Sequence, residues 1–283
     1  MADASPTIRQ RELGLRLRRL RTELGMTVED VAEKLLCSTA KISRMETGAR
    51  RPVLRDVRDL CALYDVGEAA TSELMKLTRE ARELGWWTRY DDLGLDPYIG
   101  LEQDAASITA YSALYVHGLA QTEDYARAVI KSTLPKIAPG IHQQRVEARL
   151  RRQQVLEGEN APRYRMLLDE AALHRPVGGP ALMAAQITKI LDLASAGKTT
   201  AQVVPFEVGS YAVADINFTL LEFGEPLLGP VVYVEGLASG QYYERAADVT
   251  LYRESIEYVR DSALSPRESV QRLEEMRRRY AGE

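Results

Sequence analysis

Apolar residues recur at helical spacing through roughly the first third of the chain and predict five helices. The first predicted helix, residues 9–24, carries leucines at intervals of four, three and four residues. Two short helices follow within residues 27–48, and two more cover residues 54–64 and 68–84. This spacing places apolar side chains on one face of each helix, which is typical of a small helical domain.

The stretch from Thr27 to Gly48 has the signals of two helices joined by a tight turn. Thr27 is suited to cap the first helix, with Asp30 as the return partner of a capping box. Ser38 offers a second N-cap after only a short connection. Gly48 is well placed to end the second helix.

Beyond residue 97 the pattern changes to short apolar runs that alternate with helical segments. Strands are predicted at residues 98–102, 108–116, 164–169, 201–206, 218–223 and 231–234. Helices are predicted at residues 122–130, 141–157, 180–193, 245–262 and 266–280. We therefore expect a mainly α domain at residues 1–84, a linker at 85–97, and an α/β or α+β domain at 98–283. Trp86 and Trp87 are expected to pack the linker onto the second domain rather than to stack on nucleic acid.

Composition narrows the class of protein. Hydrophobic residues make up 45% and charged residues 28% of the chain, as in an ordinary soluble globular protein. No apolar run approaches 18 residues, and the N-terminus lacks the features of a secretory signal, so we expect a cytoplasmic protein without a membrane span. The two cysteines, Cys37 and Cys61, are expected to be buried thiols.

Charge is distributed unevenly. Residues 1–58 contain 13 Lys and Arg against 8 Asp and Glu, a surplus of five positive charges, whereas the whole chain carries −4. The remainder therefore carries −9. Because an acidic body repels DNA, the basic N-terminal region has to supply any DNA contact.

The second short helix exposes a face suited to duplex DNA. Its predicted outward residues are Thr39, Ala40, Lys41, Ser43 and Arg44, with Ser38 at its start. Short polar, small and cationic side chains of this kind contact base edges and phosphates in the major groove. Arg50 and Arg51, in the turn after Gly48, are candidates for phosphate contacts. The alternative is a helical bundle that serves only for dimerisation.

The residues from Leu17 to Thr27 and from Ser38 to Pro52 resemble the phage-repressor class of helix-turn-helix proteins. The resemblance covers roughly residues 9–66 and implies that the third helix lies in the major groove. It implies a pair between Arg21 and Glu46 that holds an arginine toward phosphate. It also implies base contacts from Thr39, Ala40 and Arg44, and backbone proximity for Thr27 and Val28. Many relatives have Gln at the position of Val28, and valine cannot donate a hydrogen bond to a base.

The C-terminal half is similar to a domain of actinobacterial helix-turn-helix regulators described as antitoxin-like. The residues that carry this resemblance are 118–127, 169–180, 203–206, 218–223 and 232–235. The resemblance implies a regulator encoded beside a very small protein that binds this domain and alters DNA binding.

Candidate chemistry in the second half is sparse. The three histidines have no metal-like spacing, and we expect no catalytic residue, no metal and no cofactor. Glu102, Glu170 and Glu235 stand at predicted strand ends, and with Arg175 they are candidates for a ligand pocket. The alternative is that these carboxylates form ion pairs with Arg127 and Arg175.

We therefore expect a non-enzymatic transcriptional regulator that binds a palindromic operator as a homodimer. A ligand or a small protein partner would act through the C-terminal domain. One rival interpretation is an antitoxin-like protein that mainly sequesters its partner and binds DNA only for autoregulation. A second rival, an enzyme with a DNA-binding head, would need a pocket with converging carboxylates.

Overall fold

The computed structural model describes residues 7–83, 85–87, 90, 96–224, 228–236 and 240–282. Leu84, the predicted end of the fifth helix, and most of the predicted linker lie outside these residues. The described residues form two compact units. The first comprises residues 7–90 and 96–104 with a short piece around residues 224–229, and the second comprises residues 105–223 and 230–282. Our domain boundaries remain a prediction.

The first unit is helical. It contains α1 (Ile8–Glu23), α2 (Val28–Lys34), α3 (Thr39–Glu46), α4 (Leu54–Leu63), α5 (Glu68–Glu80) and α6 (Asp96–Gln103). Helices α1 to α5 confirm the predicted head, although α5 ends earlier than the pattern indicated. One hydrophobic core unites these five helices; it includes Leu13, Leu17, Val31, Ile42, Val57, Leu60, Leu74 and Leu77.

The strand predicted at residues 98–102 is wrong, because these residues belong to α6. Tyr98, Ile99 and Leu101 are buried, and a short apolar run does not by itself distinguish a strand from a helix. The missing side chain of Gly100 lets the ring of Trp87 pack closely against α6, since a Cβ added at Gly100 would lie 3.0 Å from that ring. Trp87 is buried and Trp86 donates to the Gln103 side chain at 2.9 Å, so both tryptophans pack within the first unit.

The second unit is built on a mixed six-stranded sheet, which confirms an α+β body. In chain order the strands are β1 (Ser107–Ser112), β2 (Arg163–Asp169), β3 (Thr200–Val204), β4 (Phe218–Glu222), β5 (Val231–Val234) and β6 (Gln241–Tyr243). Their order across the sheet is β3-β2-β1-β4-β5-β6. The pairs β1–β2 and β2–β3 are parallel, whereas β1–β4, β4–β5 and β5–β6 are antiparallel.

Crossover helices connect the parallel strands, as parallel pairing requires. The helices of this unit are α7 (Glu123–Thr133), α8 (Pro139–Arg152), α9 (Glu170–His174), α10 (Pro180–Ser195), α11 (Ala246–Ser262) and α12 (Pro266–Ala281). Tyr111 and Leu167 of the sheet share a core with Val249, Ile256 and Val259 of α11. Nearly every residue of β1 and β3 is buried, as in sheets covered on both faces. No described helix is long and apolar enough to cross a membrane.

Two predicted strands extended too far and one strand was missed. The strand predicted at residues 201–206 ends at Val204. The predicted strand at residues 108–116 ends at Ser112, where the Ala113 amide donates to the Asn217 side chain at 2.7 Å instead of continuing the ladder. Strand β6 was not predicted, because three residues are too few to show an alternating pattern. Its partner β5 was predicted with the observed bounds.

Candidate nucleic-acid interface

Local capping builds helices α2 and α3 from the sequence. The Thr27 hydroxyl accepts from the Asp30 amide at 3.1 Å, and the Asp30 carboxylate accepts from the Thr27 amide at 2.7 Å. The Thr27 backbone hydrogen bond, with help from the Thr27 hydroxyl, lowers the pKa of Asp30. Ser38 caps α3 by accepting from the Lys41 amide at 3.2 Å. Both caps agree with the sequence prediction, since capping is a contact across three residues.

The turn between α2 and α3 contains an unusual backbone conformation. Leu36 has a φ of +49° and a side chain that is 94% exposed. A left-handed conformation is unfavourable for a residue with a Cβ, and here no burial of the side chain compensates for it. The turn nevertheless brings the ends of the two helices together, with the Cys37 amide donating to the Ala32 carbonyl at 2.9 Å.

A buried ion pair joins α1 to α3. Arg21 donates through Nε to Glu46 at 2.6 Å and through an η nitrogen to the second carboxylate oxygen at 2.9 Å. Its other η nitrogen donates to the Met26 carbonyl at 2.6 Å. Arg21 is 8% and Glu46 7% exposed, and the hydrogen bonds to Glu46 raise the pKa of Arg21. The two-pronged pair fixes the C-terminal end of α3 against the end of α1.

Two glycines allow α1 to approach the end of α3. A Cβ added at Gly14 would lie 2.5 Å from the backbone oxygen of Glu46, which is closer than atoms can pack. Gly48, at a φ of +72°, ends α3 and passes beside the backbone of Gln10. Sequence reasoning predicted the role of Gly48 but not that of Gly14, because the contact at Gly14 joins residues 32 positions apart.

The outward face of α3 carries most of the predicted base-contacting residues. Thr39, Ala40, Ser43 and Arg44 are exposed on this helix, and so is the capping residue Ser38. The Arg44 Nε donates to the carbonyl of Ala40 at 3.2 Å, so the side chain lies along its own helix in the free protein. This bond is local and exposed, and an ionised acceptor such as a phosphate would form a stronger one.

Lys41 differs from its neighbours on α3. Its ammonium group pairs with Asp56 of α4 at 2.7 Å, and the Lys41 side chain is 26% exposed. This pair links α3 to α4 and partly neutralises the charge of Lys41. Sequence reasoning missed Asp56; the available signal was a lone acidic residue between Arg55 and Arg58 in a basic region.

The remaining predicted DNA contacts lie around α3. Thr27 is exposed at the start of α2, whereas Val28 is half-buried and packs against the core. Arg50 is exposed, and the guanidinium of Arg51 donates to the carbonyl of Arg82 after α5. DNA contacts by these residues remain predictions.

The four predicted ligand-binding residues have separate surroundings. Glu102 is buried in α6 of the first unit. Glu170, Arg175 and Glu235 belong to the second unit, where Arg175 and Glu235 are exposed. A ligand site formed by these residues remains a prediction.

The carboxylate of Glu170 binds other groups of the second unit. It accepts from the Phe206 amide at 3.0 Å and from Arg272 of α12 at 2.6 Å. Burial alone would raise the pKa of Glu170, but the bonds from Phe206 and Arg272 outweigh it and lower the pKa. His174 adds a weaker contact at 3.4 Å. The side chain therefore ties α9 to α12 as an ion pair. The sequence left ion pairing open as an alternative, but the partner is Arg272 and not the predicted Arg127 or Arg175.

In the described part of the chain, no group of three or more His, Cys, Asp or Glu residues lies close enough together to hold a metal ion. Cys37 is partly exposed and Cys61 is buried, and both are free thiols. Burial raises the pKa of the Cys61 thiol.

Two known protein families match parts of this chain. Residues 95–275 match the family described as a domain of unknown function (DUF5753), and residues 12–74 match a family described as a helix-turn-helix domain. No curated protein and no solved structure matches the chain significantly. The helix-turn-helix match suggests a DNA-binding regulator rather than an enzyme.

Proposed function

The chain belongs to the DUF5753 family and carries a helix-turn-helix domain in its N-terminal region, and on this premise we propose that it is a sequence-specific DNA-binding transcriptional regulator. In this proposal α3 reads bases in the major groove, and the C-terminal domain controls binding through a ligand or a small protein partner. The Arg21–Glu46 pair is the observation that carries the proposal. It holds α3 at a fixed angle while leaving Thr39, Ser43 and Arg44 exposed.

Rigid support of α3 matters because direct readout depends on geometry. A bidentate contact between a side chain and a base requires the helix to enter the groove at one depth and one angle. A helix that served only to pack a bundle would direct apolar side chains outward, toward a partner. The exposed face of α3 is instead short, polar and cationic, which favours DNA over the dimerisation-only alternative.

We further propose that the regulator acts as a homodimer on a palindromic operator. Two copies of α3 placed about 34 Å apart would enter successive major grooves on one side of the duplex. Control from the C-terminal domain requires that the effector has different affinities for the DNA-binding and non-binding states.

The first experiment identifies the operator. Purified full-length protein is incubated with fragmented genomic DNA, and the retained fragments are sequenced with and without the product of the neighbouring gene. We expect a shared, two-fold symmetric motif. Retention of fragments at random, under low salt and with competitor present, would refute sequence-specific binding.

Two arginine variants then separate base reading from phosphate contact. Arg44→Ala should weaken binding to the preferred operator by about 1–3 kcal/mol and reduce its preference over other DNA. Arg50→Ala should weaken all duplexes similarly and flatten the salt dependence, since one phosphate contact contributes about 0.9 to the logarithmic slope.

Arg267→Ala, which removes an exposed arginine of α12 in the second unit, is the control for lost charge. It should leave both the affinity and the slope unchanged. Unaltered operator affinity in Arg44→Ala would remove Arg44 from base recognition. A loss limited to the preferred operator in Arg50→Ala would argue against a phosphate contact there.

A further inference from the structure

A cleft opens in the second unit where the end of α7 meets the start of α8. It has a volume of about 380 Å³, and its walls include the apolar side chains of Leu134, Pro135, Ile137 and Ile141. Sites for small organic molecules have volumes of roughly 300–1,000 Å³ and mostly apolar linings. The cleft is therefore large enough for a compact ligand with an apolar body.

The polar groups of the cleft are cationic. Lys136 and Arg145 contribute to its lining together with the hydroxyl-bearing Thr133, and none of the described lining residues is acidic. This local positive charge stands out in a part of the chain whose net charge is strongly negative. An anionic group would be attracted here, and a cationic group would be repelled.

The start of α8 adds neutral donors to the same place. Its N-cap residue, Ala138, has no side chain that can cap the helix, and Pro139 follows at the first helical position. The amides of the first turn, at Gly140 and Ile141, are therefore not capped by the Ala138 side chain. Ile141 also lines the cleft, so the first turn of α8 borders it. Amides in this position favour negative charge.

The walls of the cleft are held in place before any ligand arrives. The Ile137 amide donates to the Leu134 carbonyl at 3.0 Å, and Pro135 restricts the turn between them. The ring Nε2 of His142 in α8 lies 3.0 Å from the Arg127 carbonyl of α7. Arg127 in turn donates to Gln143 at 2.8 Å. A site that is already formed loses little free energy in ordering itself around a ligand.

We propose that this cleft binds small amphipathic anions, with an apolar body against Ile137 and Ile141 and a carboxylate near Lys136 and Arg145. We further propose that it is the effector site of the regulator, a step that rests on the proposed function. A ligand there would contact the α7–α8 hairpin, which forms the crossover between the parallel strands β1 and β2.

Binding is tested first, without DNA. The full chain is titrated by calorimetry with sodium octanoate and, separately, with octan-1-ol, which has the same apolar body but no charge. We expect saturable binding of one octanoate per chain, with the alcohol binding about tenfold more weakly, the size expected for one charge-assisted hydrogen bond.

Variants locate the site. Ile141→Trp, which fills the cleft, should abolish binding of both probes. The double variant Lys136→Gln/Arg145→Gln should reduce octanoate affinity to that of the alcohol. Lys131→Gln, which removes an exposed lysine of α7 that is not part of the lining, should bind octanoate as the unaltered chain does. Leu134→Phe serves as a second filling variant if circular dichroism shows that Ile141→Trp is misfolded.

Three results would overturn the binding site: no saturable binding, equal affinity for octanoate and octan-1-ol, or binding that survives both filling variants. The effector role is then tested by operator affinity with and without saturating octanoate. We expect a change of about fivefold or more, absent in the filled variant. Unchanged operator affinity would overturn the effector role alone. Failure to find any operator would defeat the proposed function, while the calorimetry would still decide whether the cleft binds anions.

Discussion

The ion pair between Arg21 and Glu46 permits a quantitative test of how α3 is held. The perturbation is a pair of substitutions to apolar residues of similar size, Arg21→Met and Glu46→Leu, made singly and together. In the folded protein the guanidinium of Arg21 donates three hydrogen bonds of 2.6, 2.9 and 2.6 Å, two of them to Glu46. Each single substitution leaves one charged group buried without its partner.

The magnitude follows from burial. Breaking a buried pair by removing one partner costs about 3–5 kcal/mol, because the remaining charge has lost its water and gained nothing in return. Thr22 and Thr47, next to the pair in sequence, are exposed, so water screens the site in part. We therefore expect each single variant to lose about 2–3 kcal/mol of unfolding free energy, at or just below the lower end of that range.

The double variant should be much more stable than the sum of the single variants implies. It removes both charges, so no buried ion is left behind, and two apolar side chains can pack in their place. One loss persists, since the Met26 carbonyl no longer receives its hydrogen bond from Arg21, and this costs about 1 kcal/mol. The coupling between the two positions should then be about 3–5 kcal/mol, the sum of the two single losses minus the loss in the double variant.

Tryptophan fluorescence during urea unfolding measures this effect in the relevant unit. Trp86 and Trp87 are the tryptophans of the chain, and both lie in the first unit, so their signal follows its unfolding. Arg55→Met is the control: its pair with Asp59 is exposed and 3.8 Å long, and its loss should cost less than about 0.5 kcal/mol. Single variants that lose less than about 1 kcal/mol, or a double variant that loses the full sum, would refute the reasoning.

Other changes test close packing, backbone strain and pH dependence. Gly14→Ala should destabilise the first unit by about 1–3 kcal/mol, because the new Cβ would stand 2.5 Å from the Glu46 oxygen; an unchanged urea midpoint would contradict this. Leu36→Gly should stabilise it by about 0.5–1 kcal/mol, since glycine adopts the positive φ freely and no buried side chain is lost; destabilisation would show that Leu36 makes contacts in the folded state. In the second unit, a lowered pKa means that Glu170 contributes stability above its unfolded pKa of about 4.3, and that this contribution is lost as pH falls through the folded pKa. Glu170→Gln should therefore reduce thermal stability at pH 7 and flatten its decline below about pH 4.5; a decline as steep as that of the unaltered chain would assign the acid sensitivity elsewhere.

Much of the helical head was predictable from sequence because its signals are local. The cap formed by Thr27 and Asp30 and the cap formed by Ser38 each act across three residues. Each can therefore be recognised without knowledge of the rest of the fold. The periodic apolar stripes of α1 to α5 are local as well, and they identified most residues of the shared core. Leu24, which the stripe of the first helix included, is instead exposed.

The candidate site was predicted in part. The sequence marked the exposed residues of α3 and, through the family resemblance, the partnership of Arg21 and Glu46. It did not reveal that Lys41 pairs with Asp56, or that Arg51 donates to the carbonyl of Arg82. Both contacts cross between helices, and no local pattern encodes which side chains meet there.

The second unit shows the same division between local and distant information. Most strands were found from their apolar runs, yet the sheet order β3-β2-β1-β4-β5-β6 could not be read from them. Strand order depends on which edges pair across long connections, and many pairings satisfy the same apolar pattern. Helix α6 was mistaken for a strand because its apolar run is short and its packing partner, Trp87, lies more than ten residues away.

The sequence by itself determined where the helices of the head begin, which residues form its core, and that its charge is positive. Those properties follow from interactions within a few residues and from simple composition. Only the tertiary structure decided how α3 is held against α1 and which groups the Glu170 carboxylate binds. It also decided that an apolar cleft with cationic side chains in its lining lies between α7 and α8. These features arise where distant segments come together, and their energies depend on burial and distance that no linear pattern specifies.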